Sequence, residues 1–141
     1  MDNNSKVIIT VQTTINAPLE KVWSCWTNPE DIIKWNSASE DWHSPRAEND
    51  LRIGGNFNYR MEAKDRSMGF DFYGVYNNVI NHKLIEYTMG DGRKAKVVFK
   101  EDNNKVEVVE IFEAEHENTF ELQKIGWQSI LNSFRRHTEA K

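Results

Sequence analysis

The chain has 141 residues, a length that predicts a single domain spanning residues 1–141. Its formal net charge of −4 at pH 7 argues against nucleic acid as a main partner. Its single cysteine, Cys25, excludes an internal disulfide and suits a reducing compartment. The N-terminus has no apolar segment of the kind found in signal peptides, and no apolar run approaches the roughly 20 residues of a membrane span, so we expect a cytoplasmic protein without such a span.

The first third of the sequence predicts a strand followed by two short helices. Apolar and polar residues alternate over 6–15, as is typical of a half-buried strand. Pro18 stands at the first predicted helical position, where its missing N–H costs nothing, and Asn28 can cap a second helix opened by a proline. The next stretch, 36–50, is polar and irregular, and we predict a loop with at most a short strand around Trp42.

From residue 51 onward, alternation and turn signals predict strands joined by hairpins. Gly74 inside the longest of these strands indicates a bend or a close backbone approach. The strongest turn signal is Asp91-Gly92, which predicts a type I′ hairpin. The predicted strands cover residues 57–64, 70–80, 85–89, 95–99 and 106–114.

The C-terminal segment predicts one long helix with a capping box formed by Asn118 and Glu121. Gly126 costs this helix roughly 1 kcal/mol relative to Ala, so we expect a neighbour to approach closely there. Leu122 and Ile125 point away from the apolar face, and we expect them to pack on another part of the fold, with a second subunit as the alternative. At 3.6 residues per turn, the apolar face contains Phe120, Gln123, Trp127, Ile130, Leu131 and Phe134.

The order of elements predicts an α+β fold with a curved, mostly antiparallel sheet. Two short helices follow the first strand, and the long C-terminal helix forms the second layer on one face of the sheet. A curved sheet gripped by one helix encloses volume between the two layers.

Four motifs occur in a fixed order along the chain. They are Ile15-Asn16-Ala17-Pro18 with Val22-Trp23, Trp26-Thr27-Asn28-Pro29-Glu30 with Trp35, Gly54-Gly55-Asn56-Phe57, and Gly126-Trp127. Together they resemble the Aha-type family, the homologues of the C-terminal domain of the heat-shock-protein-90 ATPase activator, within the START-like or SRPBCC superfamily. The resemblance implies a helix-grip fold whose cavity binds sterols, lipids, hormones or polyketides in other members of the superfamily, a few of which are enzymes. The activator also carries a separate N-terminal domain with no counterpart in this sequence, which weakens the case for a chaperone partner.

Large aromatic side chains are numerous, and most should pack the core while a minority line a cavity. Trp42 and His43 are candidates for the cavity mouth, with a purely structural loop as the alternative. Asp41, His43 and Ser44 are too close in sequence to form a hydrolytic triad. The predicted ligand-binding residues are Trp42, His43, Phe57, Tyr59, Tyr87, Glu110 and Trp127.

Glu110 is the one candidate for acid–base chemistry. Alternation in the last strand places it on the same face as Val108 and Phe112, so an interior carboxylate would need a partner or a raised pKa. The alternative is that this face is exposed at that point. The candidate partners on neighbouring strands are Arg60, Tyr87 and Lys96.

No metal site or cofactor is predicted, because the histidines and Cys25 lack ligand spacing. The leading interpretation is a cytoplasmic protein that binds a small apolar or amphipathic molecule between sheet and helix. A cyclase- or hydrolase-like enzyme using the same cavity is the first alternative. A protein-interaction module related to chaperone activation is the second, and a homodimer is compatible with each.

Overall fold

In a computed structural model that describes residues 6–141, seven antiparallel strands form one curled sheet in the order β1-β7-β6-β5-β4-β3-β2. The predicted α+β architecture is therefore confirmed. No described helix is both long and apolar enough to cross a membrane. The elements are β1 (Ile8–Ile15), α1 (Leu19–Thr27), α2 (Pro29–Trp35), β2 (Trp42–Asn49), β3 (Asn56–Ala63), β4 (Gly69–Ile80), β5 (Leu84–Met89), β6 (Lys94–Asp102), β7 (Lys105–Glu113) and α3 (Phe120–Ala140).

The sheet is built from consecutive hairpins, except that β1 pairs with β7, from Ile8 opposite Glu113 to Ile15 opposite Val106. Each central strand buries alternate residues, and in β7 the buried set is Val106, Val108, Glu110 and Phe112. This face meets α3, whose Leu131 and Phe134 are completely buried. The core therefore lies between the concave face of the sheet and the helices.

The two short helices follow the sequence signals closely. Pro18 is the N-cap of α1 and not its first helical residue, so the predicted start of this helix is wrong by one position. The Asn28 carboxamide accepts a hydrogen bond from the Glu30 N–H (3.1 Å), so Asn28 caps α2 as predicted. The Trp35 indole donates to the Cys25 carbonyl (2.8 Å), which ties α2 back onto α1.

Several predictions for α3 are wrong in detail. Thr119, not Asn118, is the N-cap, and its hydroxyl accepts from the Leu122 N–H (3.1 Å). Asn118 instead donates to the Glu115 carboxylate, so the expected capping box does not form. A Cβ added to Gly126 would find no atom of residues 6–141 within 4 Å, so the expected close approach is wrong for the described chain.

The first turn of α3 is also more exposed than predicted. Phe120 leaves the apolar face and is 50% exposed. Leu122 and Ile125 are 56% and 62% exposed, so the expected packing on another part of the fold is wrong, and a second subunit stays a prediction. The first buried side chain of α3 is that of Gln123. Its amide oxygen accepts from the Glu115 backbone N–H (2.8 Å), and its amide nitrogen donates to the Asn118 carbonyl (2.9 Å).

The segment predicted as a loop around Trp42 is a full edge strand, β2. Its polar residues suit an edge, because on one side β2 has no neighbouring strand within the described sheet. The register shifts between His43 and Arg46, and the buried Ser44 hydroxyl donates to the Arg60 carbonyl (2.7 Å). This irregularity removes the simple alternation by which strands are found in a sequence.

The type I′ turn is found in a different hairpin from the predicted one. In the β5–β6 hairpin only Gly92 has a positive φ (+93°), and its N–H donates to the Met89 carbonyl (2.8 Å), so the predicted type I′ turn is wrong. A type I′ turn needs positive φ at both central residues. That condition is met in the β6–β7 hairpin by Asn103 (φ 50°) and Asn104 (φ 67°).

Candidate functional site

A cavity of about 260 Å³ lies between α3 and the concave faces of β3, β4 and β5. Aromatic rings make up most of its wall, because β3, β4 and β5 each direct every second residue toward it. In the register of β3 with β4, Phe57 lies opposite Gly74 and Tyr59 lies opposite Phe72. The rings and aliphatic side chains of the wall are Trp26, Trp35, Phe57, Tyr59, Met61, Phe70, Phe72, Tyr76, Ile85, Tyr87, Trp127 and Ile130.

Phe57 is the centre of this aromatic wall. Its ring lies 5.1 to 5.6 Å from four other rings, those of Tyr59, Phe72, Tyr76 and Tyr87. Gly74 makes room for it, since a Cβ on Gly74 would lie 2.8 Å from the Phe57 ring. The close approach predicted at Gly74 is therefore confirmed.

Trp127 closes the cavity from the helix side. Its indole stacks on Phe112 of β7, with ring centroids 3.8 Å apart and planes 11° apart, and it also meets the Phe72 ring edge-on, with centroids 6.1 Å apart. Stacking on Phe112 fixes the plane of the indole and leaves Trp127 as one of the cavity's walls.

A chain of hydroxyl and amide groups leads from the cavity to α1. The Tyr59 and Tyr76 hydroxyl oxygens are 3.4 Å apart, Tyr76 donates to the Asn49 carboxamide oxygen, and the Asn49 amide donates to the Thr27 carbonyl (2.7 Å). Burial raises the pKa of Tyr76 to about 12 and that of Tyr59 well above its ordinary value. Both hydroxyls therefore stay protonated and can hydrogen-bond to a bound molecule.

The structure buries Glu110 inside this cavity with only 6% of the residue exposed. Its cross-strand neighbours are Val11 of β1 and Val97 of β6, both 1% exposed. Among residues 6–141, no group forms a hydrogen bond or ion pair with its carboxyl group. Burial raises the pKa of Glu110 to about 8, since the charged form is poorly solvated there.

None of the three candidate partners of Glu110 pairs with it. Arg60 instead binds Glu62 (2.8 Å) and lies 3.7 Å from Asp71, and Lys96 is exposed. Tyr87 shares the cavity, and its pKa is raised well above the ordinary value by burial and then by the Glu110 charge, without a hydrogen bond between them.

Trp42 and His43 do not line the cavity. Trp42 packs beside Phe70, with ring centroids 6.0 Å apart, and so lies behind a lining residue. His43 is near Glu62, with Nε2 3.8 Å from Oε1. Both belong to the start of the edge strand β2. The structure thus brings together Phe57, Tyr59, Tyr87, Glu110 and Trp127, and it leaves Trp42 and His43 apart.

Several residues that contribute to the site were not selected from the sequence, among them Tyr76, Phe72 and Asn49. Tyr76 and Phe72 share the inward face of β4, and strict alternation through Gly74 would have indicated both. Asn49 could not be found in this way, because its segment was predicted to be a loop.

Among the described residues, one group of metal-type donors lies together, with atoms of Cys25, Asp31 and His137 within 4.8 Å of one another. They come from three different helices, so sequence spacing could not indicate them. One Asp31 oxygen already accepts from His137 Nε2 and from Lys141 Nζ, each at 2.8 Å. Burial acts to raise the pKa of Asp31, but these hydrogen bonds outweigh it and hold the pKa below its ordinary value. The cluster joins α2 to the end of α3.

Comparison with known proteins agrees with this architecture. The model of the family described as activator of Hsp90 ATPase homolog 1-like protein matches residues 16–139. The solution structure of an AHSA1-like protein from Aeromonas hydrophila is 40% identical, with a TM-score of 0.90 over 95% of this chain and 93% of that one. A protein from Cytophaga hutchinsonii is 52% identical, with a TM-score of 0.81 over 94% of this chain and 92% of that one.

A protein from Chromobacterium violaceum shares the fold at 20% identity, with a TM-score of 0.83 over 94% of this chain and 98% of that one. A search of curated proteins gave no significant match. The motifs, the fold and the family model agree, and the chain belongs to the family of activator of Hsp90 ATPase homolog 1-like proteins, with a fold consistent with the START-like superfamily.

Proposed function

We propose that the protein binds a small apolar or amphipathic molecule in the cavity between the sheet and α3. The observation that carries the proposal is a cavity of about 260 Å³ walled by aromatic rings and containing a carboxyl group that has no partner in the described part of the chain. An apolar cavity of about 150 Å³ accommodates benzene, so this one suits a molecule of roughly ten non-hydrogen atoms.

The ring contacts support a preformed site. Protein interiors are close-packed, and an empty space of this size costs stability. Here the rings cannot simply collapse inward, because Phe57 is held by four other rings and Trp127 is stacked on Phe112. Such a cavity is typical of small-molecule sites, which are concave, largely apolar and formed in advance.

The polar groups support an amphipathic ligand over a purely apolar one. Tyr59 offers a neutral hydroxyl at the end of the chain through Tyr76 and Asn49. Glu110 offers a carboxyl group with no partner among the described residues. A few polar groups of this kind orient a ligand whose remaining surface contacts the rings.

A cyclase- or hydrolase-like activity is the second candidate, favoured by the raised pKa of Glu110. A carboxyl with a pKa of about 8 could exchange a proton with a substrate near neutral pH. The three tyrosines that line the cavity, Tyr59, Tyr76 and Tyr87, stay protonated in this range, so Glu110 would act without a second titrating group. Binding without chemistry needs fewer groups and is the function that we prefer. Activation of a chaperone ATPase stays a prediction for this chain.

Native mass spectrometry of the purified protein, followed by titration with 2-phenylethanol, would test the proposal. We expect a co-purified small molecule, or saturable binding of 2-phenylethanol, a neutral molecule of suitable size. Ile130→Trp places a larger side chain into the cavity and should abolish binding. Ile125→Trp is the matched control, because the same substitution on the same helix falls on an exposed position and should leave binding unchanged.

Two outcomes would contradict the proposal. In the first, the protein carries no molecule and does not bind the probe. In the second, Ile130→Trp folds with a sharp thermal transition and still binds 2-phenylethanol as the wild type does, which would place the binding site elsewhere.

A further inference from the structure

The cavity combines two features that a neutral or anionic ligand would not use together: a buried carboxyl group without a partner among residues 6–141, and a wall made largely of aromatic rings. Leaving a carboxylate in apolar surroundings without a partner is unfavourable, and buried carboxylates are ordinarily paired with a cation or well hydrogen-bonded. Glu110 lies between Val11 and Val97 and receives no such partner from the described residues. We therefore expect the ligand to supply the partner of this carboxyl group.

The other charged groups around the cavity are already engaged. Arg93 Nε binds Asp91 (2.7 Å), and its Nη1 donates to the Glu113 carbonyl (2.9 Å). The Glu115 carboxylate accepts two hydrogen bonds from Asn118, at 2.8 and 2.7 Å. Neither residue forms an ion pair with Glu110, which keeps the interior charge of the cavity negative whenever Glu110 is ionised.

The rings favour the same sign of ligand charge. Aromatic faces carry negative electrostatic potential and attract ammonium groups, most strongly when water is excluded. Tyr59, Phe72, Tyr87 and Trp127 surround the space into which Glu110 is buried. An ammonium group can contact the rings and pair with the carboxylate at once, whereas an anion would be repelled by Glu110.

We infer that the cavity selects a small amphipathic amine, an aryl or alkyl group of roughly ten non-hydrogen atoms that carries an ammonium group to pair with Glu110. This inference rests on the proposed function and deepens it. Neutral ligands would also occupy the cavity, but more weakly, because they leave the carboxyl group without a charged partner.

The inference predicts a dependence on pH. The titratable groups that share the cavity with Glu110 are Tyr87 of β5, Tyr59 of β3 and Tyr76 of β4, whose hydroxyls stay protonated, and the engaged Arg93 and Glu115. The cross-strand neighbours of Glu110, Val11 of β1 and Val97 of β6, are apolar, and α3 lines the cavity with Trp127 and Ile130. Glu110, with its pKa of about 8, is mostly protonated in the empty cavity at neutral pH. Binding of a permanent cation must ionise it, so affinity should rise about tenfold for each unit by which pH increases toward that pKa, and level off above it.

Calorimetric titration with three probes of similar size would test this: 2-phenylethylamine, 2-phenylethanol and phenylacetate, at a pH near 8. We expect the amine to bind at least tenfold more tightly than the alcohol and the acid to bind most weakly. Benzyltrimethylammonium, whose charge does not titrate, should bind more tightly at about pH 8 than at about pH 6.

Glu110→Gln should lose the preference for the amine and the pH dependence while still binding 2-phenylethanol. Glu107→Gln is the matched control, because it removes the same charge from the opposite face of β7 and should change none of these results. The inference is overturned if the wild type binds the alcohol or the acid as tightly as the amine, or if Glu110→Gln keeps the preference. Binding of 2-phenylethanol without that preference would leave the proposed function intact, whereas failure of all three probes to bind would overturn both.

Discussion

At the scale of single residues, the buried Glu110 lowers the stability of the ligand-free protein. Its pKa of about 8 lies above the value of about 4.3 expected in an unfolded chain. Between these two values the folded protein keeps a proton that the unfolded chain loses, so stability falls as pH rises through this window. Above pH 8 the penalty is complete, and below about pH 4 it is absent.

Glu110→Gln should therefore be more stable than the wild type at pH 7 and equal to it near pH 4. The difference at neutral pH is expected on the order of a few kcal/mol, because each pKa unit corresponds to about 1.4 kcal/mol. Urea denaturation of both proteins across this pH range measures it. A wild-type stability that does not fall relative to the Gln variant between pH 4 and 8 would show that the carboxyl group is solvated in the folded state.

At the scale of elements, two glycines that look alike in the sequence have opposite environments. An added Cβ at Gly126 of α3 meets nothing within 4 Å, whereas at Gly74 of β4 it meets the Thr88 carbonyl and the Phe57 ring. A helical glycine with free space around it is destabilising relative to Ala, because it loses more backbone entropy on folding. At Gly74, by contrast, the neighbouring atoms leave no space for a side chain.

Gly126→Ala should raise the free energy of unfolding by about 0.5 to 1 kcal/mol. Gly74→Ala, the same substitution against the aromatic wall, should lower it and disturb the Phe57 ring. Thermal and urea denaturation of the two variants give both values. Destabilisation by Gly126→Ala would mean that a partner, such as a second subunit, approaches the helix at this point.

The elements also show what a sequence can and cannot indicate. Period-2 alternation is sufficient for the central strands, because one face of each is buried, and it placed Glu110 with Val108 and Phe112 before any register was known. The edge strand β2 has a register shift and polar side chains, so it gave no such pattern. The hydrogen bond from Tyr76 to Asn49 joins residues 27 positions apart and depends on the pairing of three strands, which local patterns do not encode.

At the scale of the whole molecule, α3 holds the fold together at two places. Its middle buries Leu131 and Phe134 against the sheet and the tryptophans of α1 and α2, with Phe134 ring centroids 4.8 Å from Trp26 and 4.9 Å from Trp35. Its end binds the buried Asp31 of α2 through His137 and Lys141. The cavity lies beyond the middle of the helix, toward its N-terminus, so α3 is at once the second layer of the core and one wall of the site.

Truncation after Glu117 would remove all of these contacts together. The sheet would expose the apolar face of β7, and Asp31 would lose its hydrogen bonds to His137 and Lys141. We expect the truncated chain to unfold without a cooperative transition, since single domains of this size lose their two-state behaviour when a core layer is missing. Calorimetry and near-UV circular dichroism would measure this, with a chain shortened by Lys141 alone as the control that keeps the helix packing and removes one ion pair. A truncated protein that still melts sharply would show that the curled sheet and the two short helices form a sufficient core, and that α3 serves only to cover the cavity.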